Sequence, residues 1–428
     1  MKVKGELSLL SRANLPKDWK VVPLRYAVDF RSDQLSSSTA PNYHFRYVDI
    51  GSVSHEEGIS NYTEMTYSKS PSRARKLVSA GDTIISMVRT YLRSIATIYN
   101  DRDVIVSTGF SVLRPRLFEP DYLGYLAKSD IVCSEIERRS WGVAYPAVSE
   151  NHIGLIRVPL PPLDEQAKIS VRLNNVTASI GRAIDLLQQE LDTLEQLKKS
   201  IIHEAVTKGL DPTASMKPSR VEWIGDIPDH WRTTRIKYIA PAWNGLTYDP
   251  ADVSDTGTPV LRSGNIQNGE LDLQNLVRVD GFIPEKSFAR SGDILICSRN
   301  GSRKLIGKNT LIHEDGYAFG AFMMIARPTV NSQYFYYLLN SGMFDFYLPT
   351  YLTSTVNQLT GTNFGNMIVP IADDPDEQLA IVEELNTKCK ALDVAMEKKC
   401  TQLSLLRKQR DSLIFEYVTG KRRVNEVA

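Results

Sequence analysis

The sequence predicts an α+β protein made by tandem duplication: a mixed α/β domain followed by a long helix, written twice. Three observations predict it. First, LDEQAKI (Leu163 to Ile169) returns as PDEQLAI (Pro375 to Ile381), with Asp376 standing 212 residues beyond Asp164. Aligned at that offset without a gap, 164–207 and 376–419 share 14 of 44 residues. Second, earlier segments recur in the same order: LPKDW (Leu15 to Trp19) as IPDHW (Ile227 to Trp231), SAGDTIIS (Ser79 to Ser86) as RSGDILIC (Arg290 to Cys297), and IRVPLPP (Ile156 to Pro162) as NMIVPIA (Asn366 to Ala372). Offsets of 210 to 212 residues, in an unchanged order, mean that one structural unit occurs twice. Third, the texture changes once within each copy, from short apolar runs to an unbroken helical pattern.

The first part of each copy holds TIISMV, VIVST, DILICS and AFMMIA, punctuated by Gly, Pro, Asn and Ser. Such runs predict strands of a globular domain. AFGAFMMIA (Ala318 to Ala326), the longest apolar run, suits a buried strand.

The second part carries no Pro for some forty residues. Ile169, Leu173, Val176, Ile180, Ile184, Leu187, Leu191 and Leu194 step by threes and fours, a heptad-like stripe. The second copy keeps Ile381, Leu385, Leu392, Met396, Leu403 and Leu406, and places Lys388 and Lys399 in two slots. Asp374 suits an N-cap with Pro375 at N1 and Glu377 at N3 of a capping box, and Asp164 suits the cap of the first copy. Forty residues make a helix of roughly 60 Å, which cannot bury its stripe alone. The two stripes are therefore expected to pair as an antiparallel coiled coil with pseudo-two-fold symmetry. The expected boundaries are a first domain at 1–157, a helical spacer at 158–210, a linker at 211–226, a second domain at 227–369 and a second spacer at 370–428.

Composition narrows the function. The 42% hydrophobic and 24% charged shares are those of an ordinary globular protein. No apolar run reaches membrane-spanning length and the start lacks a signal-peptide core, so a cytoplasmic protein is expected. The four cysteines form no CxxC pair, which argues against a zinc site or a disulfide framework. A net charge of +1 argues against a stand-alone, non-specific nucleic-acid binder. It leaves room for local basic loops and for a partner that supplies charge.

The ordered set VPLPPLDEQAKI, WIGDIPDHW (Trp223 to Trp231) and the repeated Gly-Asp, strand, Arg stretch resembles the specificity (S) subunit of type I restriction-modification systems. The resemblance spans nearly the whole chain. It implies two target recognition domains, each reading half of an asymmetric bipartite site in double-stranded DNA. It also implies helices that set the distance between the halves and dock two methyltransferase (M) subunits, with restriction (R) subunits completing the complex. Adenine N6-methylation and cleavage would belong to those partners, and the chain itself would be no enzyme and need no cofactor. DDPDEQ at the second helix start departs from the family's Pro-Pro-Leu-acid form.

Candidate DNA-contacting residues follow the strands. GDTIISMVR ends at Arg89, and GDILICSR ends at Arg299. Each opens a polar, basic segment, with Tyr91 and Arg93 in the first copy and Asn300, Arg303 and Lys304 in the second. Arginine can grip guanine O6 and N7, and either basic side chain can neutralise phosphate. An arginine at a strand end is also commonly a plain surface charge. The loops before the helices diverge, SWGVAYPAVSENH against TYLTSTVNQLTGTN. They offer Tyr145 and Ser149 in one copy and Tyr351, Asn357 and Gln358 in the other, although polar turn formers would look the same.

Other chemistries find no support. GSRKLIGKN has five residues between its glycines and Asn309 where a phosphate loop needs Ser or Thr. The six histidines form no metal-spaced pair, and no N/D-P-P-Y/F stretch is present for adenine methylation. Two rival functions stay open. One is the specificity subunit of a related system whose methyltransferase and nuclease are fused. The other is a coiled-coil scaffold that never meets DNA.

Overall fold

The computed structural model describes residues 15–100, 102–351 and 357–424. The chain divides into two compact units, Met1–Gln188 with Thr401–Ala428, and Gln189–Cys400. Each long helix, Leu163–Lys208 and Pro375–Val418, contributes one half to each unit.

The two units repeat one topology. In the first, Lys20–Pro23 pairs antiparallel with Arg157–Leu160, just before the helix. In the second, Arg232–Arg235 pairs with Ile368–Ile371 in the same way. Each unit then has two four-stranded sheets. One holds Thr83–Ser86 between Phe110–Pro115 and Ile95–Thr97, matched by Ile294–Cys297 between Met323–Ala326 and Asn309–Leu311. The other contains a parallel pair, Val104–Ser107 with His44–Val48, matched by Ala318–Phe319 with Thr258–Leu261. The strands of the first sheet are mostly apolar on both faces because one face meets the other sheet and the other meets helices.

The repeated motifs are joints of this fold. Asp82 and Asp293 are fully buried, and each accepts a backbone N–H at 2.8 Å, from Ser79 and from Arg290. Each then takes a two-pronged arginine, Arg114 at 2.8 and 2.9 Å and Arg327 at 2.7 Å twice. Gly81 and Gly292 precede them at φ +87° and +89°, where a Cβ would be strained. At the helix starts, the Trp19 indole donates to Glu165 at 2.9 Å and the Trp231 indole donates to Glu377 at 3.0 Å. Gln166 and Gln378 are buried beside them and donate to backbone carbonyls of Pro161 and Ala372.

Two expectations about the helix starts change. The first helix begins at Leu163, and the Pro162 carbonyl accepts from Glu165 and Gln166, so Asp164 lies inside the first turn and is not its cap. In the second copy Asp374 does cap, its carboxylate accepting from Asp376 at 3.0 Å, but Glu377 turns to Trp231 and closes no capping box. AFGAFMMIA also changes. Strand Ala318–Phe319 stops, a turn follows, and a second strand starts at Met323, leaving Phe322 58% exposed.

The helices run antiparallel in both units. In the first, Ile169 and Leu173 share a core with Ile414, Tyr417 and Val418, and Arg172 donates to the Tyr417 hydroxyl at 3.3 Å. In the second, Ile381 and Leu385 share a core with Ile202, Ala205 and Val206, and Lys198 pairs with Asp393 at 2.6 Å. Ile169, Leu173, Ile381 and Leu385 are wholly buried because the domain covers them as well as the facing helix. Ile180, Leu191 and Leu403 are buried, whereas Ile184, Leu194, Leu392, Met396 and Leu406 are half-buried, as a helix pair shields only one side. The two lysines in the stripe find carboxylates: Lys388 pairs with Glu384 one turn back and Lys399 with Glu190 across the pair.

Candidate nucleic-acid interface

The strand that begins at each Gly-Asp turn ends against the divergent loop. In the first unit Val148 donates to the Met87 carbonyl at 2.8 Å, and Val88 bridges Ala147. In the second, Leu359 donates to the Ser298 carbonyl at 2.7 Å, and Arg299 bridges Gln358. Each pair lies 211 residues beyond its counterpart. The register therefore sets Arg299 opposite Val88, and Asn300 opposite Arg89, because the first copy has one more residue after its Gly-Asp turn. The two arginines are neighbours in place, not equivalents.

Arg89 is exposed, sits in the left-handed region at φ +50°, and holds its guanidinium 5.0 Å from the centre of the Tyr145 ring. Left-handed backbone is uncommon for arginine and marks a position fixed by its surroundings. Tyr145 is 66% exposed, and Tyr91 is exposed as well. Arg299 is exposed over Phe322, with 5.1 Å from guanidinium to ring centre. Each unit thus shows solvent an arginine resting on an aromatic face, an arrangement that keeps the fork's N–H groups free at its edge.

The other candidates divide. Asn300 donates to the Ser263 hydroxyl at 3.2 Å and accepts from Ser302, and Asn357 donates to the Gly301 carbonyl at 3.2 Å. With Gln358 they join the Arg299 cluster, and Arg303 and Lys304 extend it on an exposed turn. The loop segment 352–356 lies outside the described residues.

Three candidates have intramolecular partners that give them structural duties. Arg93 is held by Glu137 and Asp130 at 2.7 Å each, and the bond to Glu137 raises its pKa. Ser149 caps the short helix Glu150–Gly154, and its counterpart is Thr360, which caps Gly361–Asn366 by accepting from Asn363. Tyr351 stacks on Tyr347 with centres 6.0 Å apart and packs against the second unit's core.

Comparison with known proteins bears on this geometry. A family model described as the type I restriction modification DNA specificity domain matches residues 16–196. The chain is thus similar to type I specificity subunits, through that domain in its first part. The type I restriction enzyme MjaVIII specificity subunit of Methanocaldococcus jannaschii is 25% identical over 326 residues, 73% of this chain and 72% of the relative. The StySPI specificity subunit of Salmonella potsdam is 23% identical over 308 residues, 69% and 64% of the two chains. A chain solved in work on the complex assembly and conformational transition of the type I R-M system shares the fold, with a TM-score of 0.68 at 23% identity, over 96% of this chain and 100% of that one.

The chain carries site features that sequence reasoning missed. Phe322 was hidden inside an apolar run, and only the Gly320 turn signals that the run breaks. Trp141, 58% exposed and part of the quoted first loop, adds an aromatic beside Ser140, whose hydroxyl lies 2.8 Å from that of Thr90. Among the described residues no cluster of three or more His, Cys, Asp or Glu is placed to hold a metal. No helix among them is long and apolar enough to cross a membrane.

Proposed function

We propose that this chain is a type I specificity subunit and reads an asymmetric, bipartite site in double-stranded DNA, one half with each unit. The observation that carries the reading is the pair of exposed arginine-on-aromatic clusters, Arg89 over Tyr145 and Arg299 over Phe322, at the same strand end of a duplicated fold. Arginine and amide side chains supply direct readout in the major groove, and the exposed aromatics supply apolar contact. The paired helices act as the spacer between the halves and as the surface that docks two M subunits, with R subunits joining the assembly. Those partners carry methylation and cleavage in the cytoplasm, and this chain contributes no catalytic group or cofactor. The near-neutral charge fits a subunit that grips DNA firmly only inside its complex.

Sequencing that scores N6-methyladenine in the host genome, with the gene deleted and restored, tests the reading. An interrupted two-part motif should vanish on deletion and return on restoration. A methylation pattern indifferent to the gene would contradict it.

A further inference from the structure

Each unit contains a short 3-10 turn after its parallel strand, Ile50–Ser52 in the first and Ser263–Asn265 in the second, each followed by a two-stranded hairpin. The turns are equivalent, but they are closed from opposite ends. In the first, Asp49 is the cap, its carboxylate accepting from the Ser52 N–H at 2.9 Å and the Ser52 hydroxyl at 3.0 Å. In the second, the position of Asp49 is taken by Arg262. The turn is closed by buried Asn265, whose side-chain oxygen accepts from the Arg262 N–H at 3.0 Å while its amide donates to the Asp272 carbonyl at 3.0 Å. A residue that need not cap is free to point elsewhere. The Arg262 guanidinium is exposed and makes no ion pair among the described residues.

Arg262 lines a cavity of about 590 Å3 whose wall also includes Tyr248, Gln267, Asn275 and Phe322. The cavity is continuous with the Arg299 cluster at two points: Phe322 is the ring under Arg299, and Ser263 accepts from Asn300. Gln267 is exposed on the hairpin that follows the turn. Asp272, the carboxylate in the wall, already accepts from the Gln274 N–H at 2.9 Å. An unpaired fork, an exposed amide and an aromatic wall beside a second arginine suit the edges of bases rather than a lone phosphate, which needs charge but no flanking amide.

We infer that Arg262 is a specificity-determining residue of the second unit, hydrogen-bonding a guanine edge, with Gln267 beside it. The inference rests on the DNA-reading function proposed above and deepens it. It assigns the second unit a base contact that the first, with Asp49 tied into its turn, lacks at that place.

Methylation mapping in a host expressing the chain with its own partners, with Arg262→Ala, Arg262→Lys and the unaltered chain, tests it. Both variants should methylate sites that differ from the native motif at one base of one half, with discrimination there reduced roughly tenfold. Lysine should fail to restore the native motif because it lacks the planar fork. Melting temperatures of the purified complexes should agree, since Arg262 is exposed and its backbone closes the turn. An unchanged motif overturns the inference. So does an even loss of methylation at all sites with no new base tolerated, whether or not lysine reverses it. If deleting the whole gene leaves the methylation pattern intact, the underlying DNA-reading function fails. If deletion abolishes the motif but the Arg262 variants keep it, only this inference fails.

Discussion

The Arg89 guanidinium lies 5.0 Å from the centre of the Tyr145 ring, on an exposed surface, while Arg93, four residues on, is locked between Glu137 and Asp130. One short segment therefore holds an arginine open to solvent and an arginine used by the fold. Arg89→Ala should leave the melting temperature nearly unchanged and weaken binding of the assembled complex to its DNA by about 1–3 kcal/mol, read by fluorescence anisotropy. Arg93→Ala should do the reverse. It should lower stability by about 1 kcal/mol, because its pairs are partly exposed, with little effect on which sequences bind.

Arg327 and Asp293 make the second unit's two-pronged joint, and only the arginine reaches solvent. Arg327→Met should destabilise that unit by about 3 kcal/mol or more, since it strands a buried carboxylate. Arg114→Met should do the same to the first unit through Asp82. Chemical denaturation followed by tryptophan fluorescence would measure both.

Lys128 lines a cavity in the first unit with His55, Arg410 and Asp411. Burial, with repulsion from Arg410 added, lowers its pKa from 10.5 to about 8. Below about pH 8 the folded unit must hold a desolvated ammonium, a cost that the unfolded chain does not bear. Between about pH 8 and 10.5 the folded state has released the proton and the unfolded state has not, so stability from this group rises with pH. Lys128→Met should be more stable than the unaltered chain at neutral pH, by the order of 1–3 kcal/mol. The gap should close as pH rises through that window, as paired thermal melts would show.

Leu173→Ala should cost about 3 kcal/mol, because that side chain fills a core shared by the domain and both helices. Leu406→Ala, half-buried on the pair alone, should cost about 1 kcal/mol. Denaturant midpoints at equal slope separate the two.

Much of this fold was legible in the sequence, because duplication prints its own alignment and a forty-residue stripe has few other uses. The role of Glu165 and Glu377 was not. Acidic residues at a helix start read naturally as caps, whereas their partners, Trp19 and Trp231, stand 146 residues earlier in each copy. Site residues were harder still. Arg89 and Arg93 have the same chemistry and near-identical surroundings in sequence, and only the placement of Glu137 and Asp130 on a later helix separates them. Arg262 carries no motif, and its freedom depends on Asn265 closing the turn from the other end.

The central claim is that each unit reads its own half of the site. The most direct measurement is N6-methyladenine mapping in a host carrying either the Arg89→Ala, Tyr145→Ala pair or the Arg299→Ala, Phe322→Ala pair. The first pair should relax one half of the methylated motif and leave the other as it was, and the second pair should relax only the opposite half. If both pairs altered the same half, or neither altered the motif, the account would be contradicted.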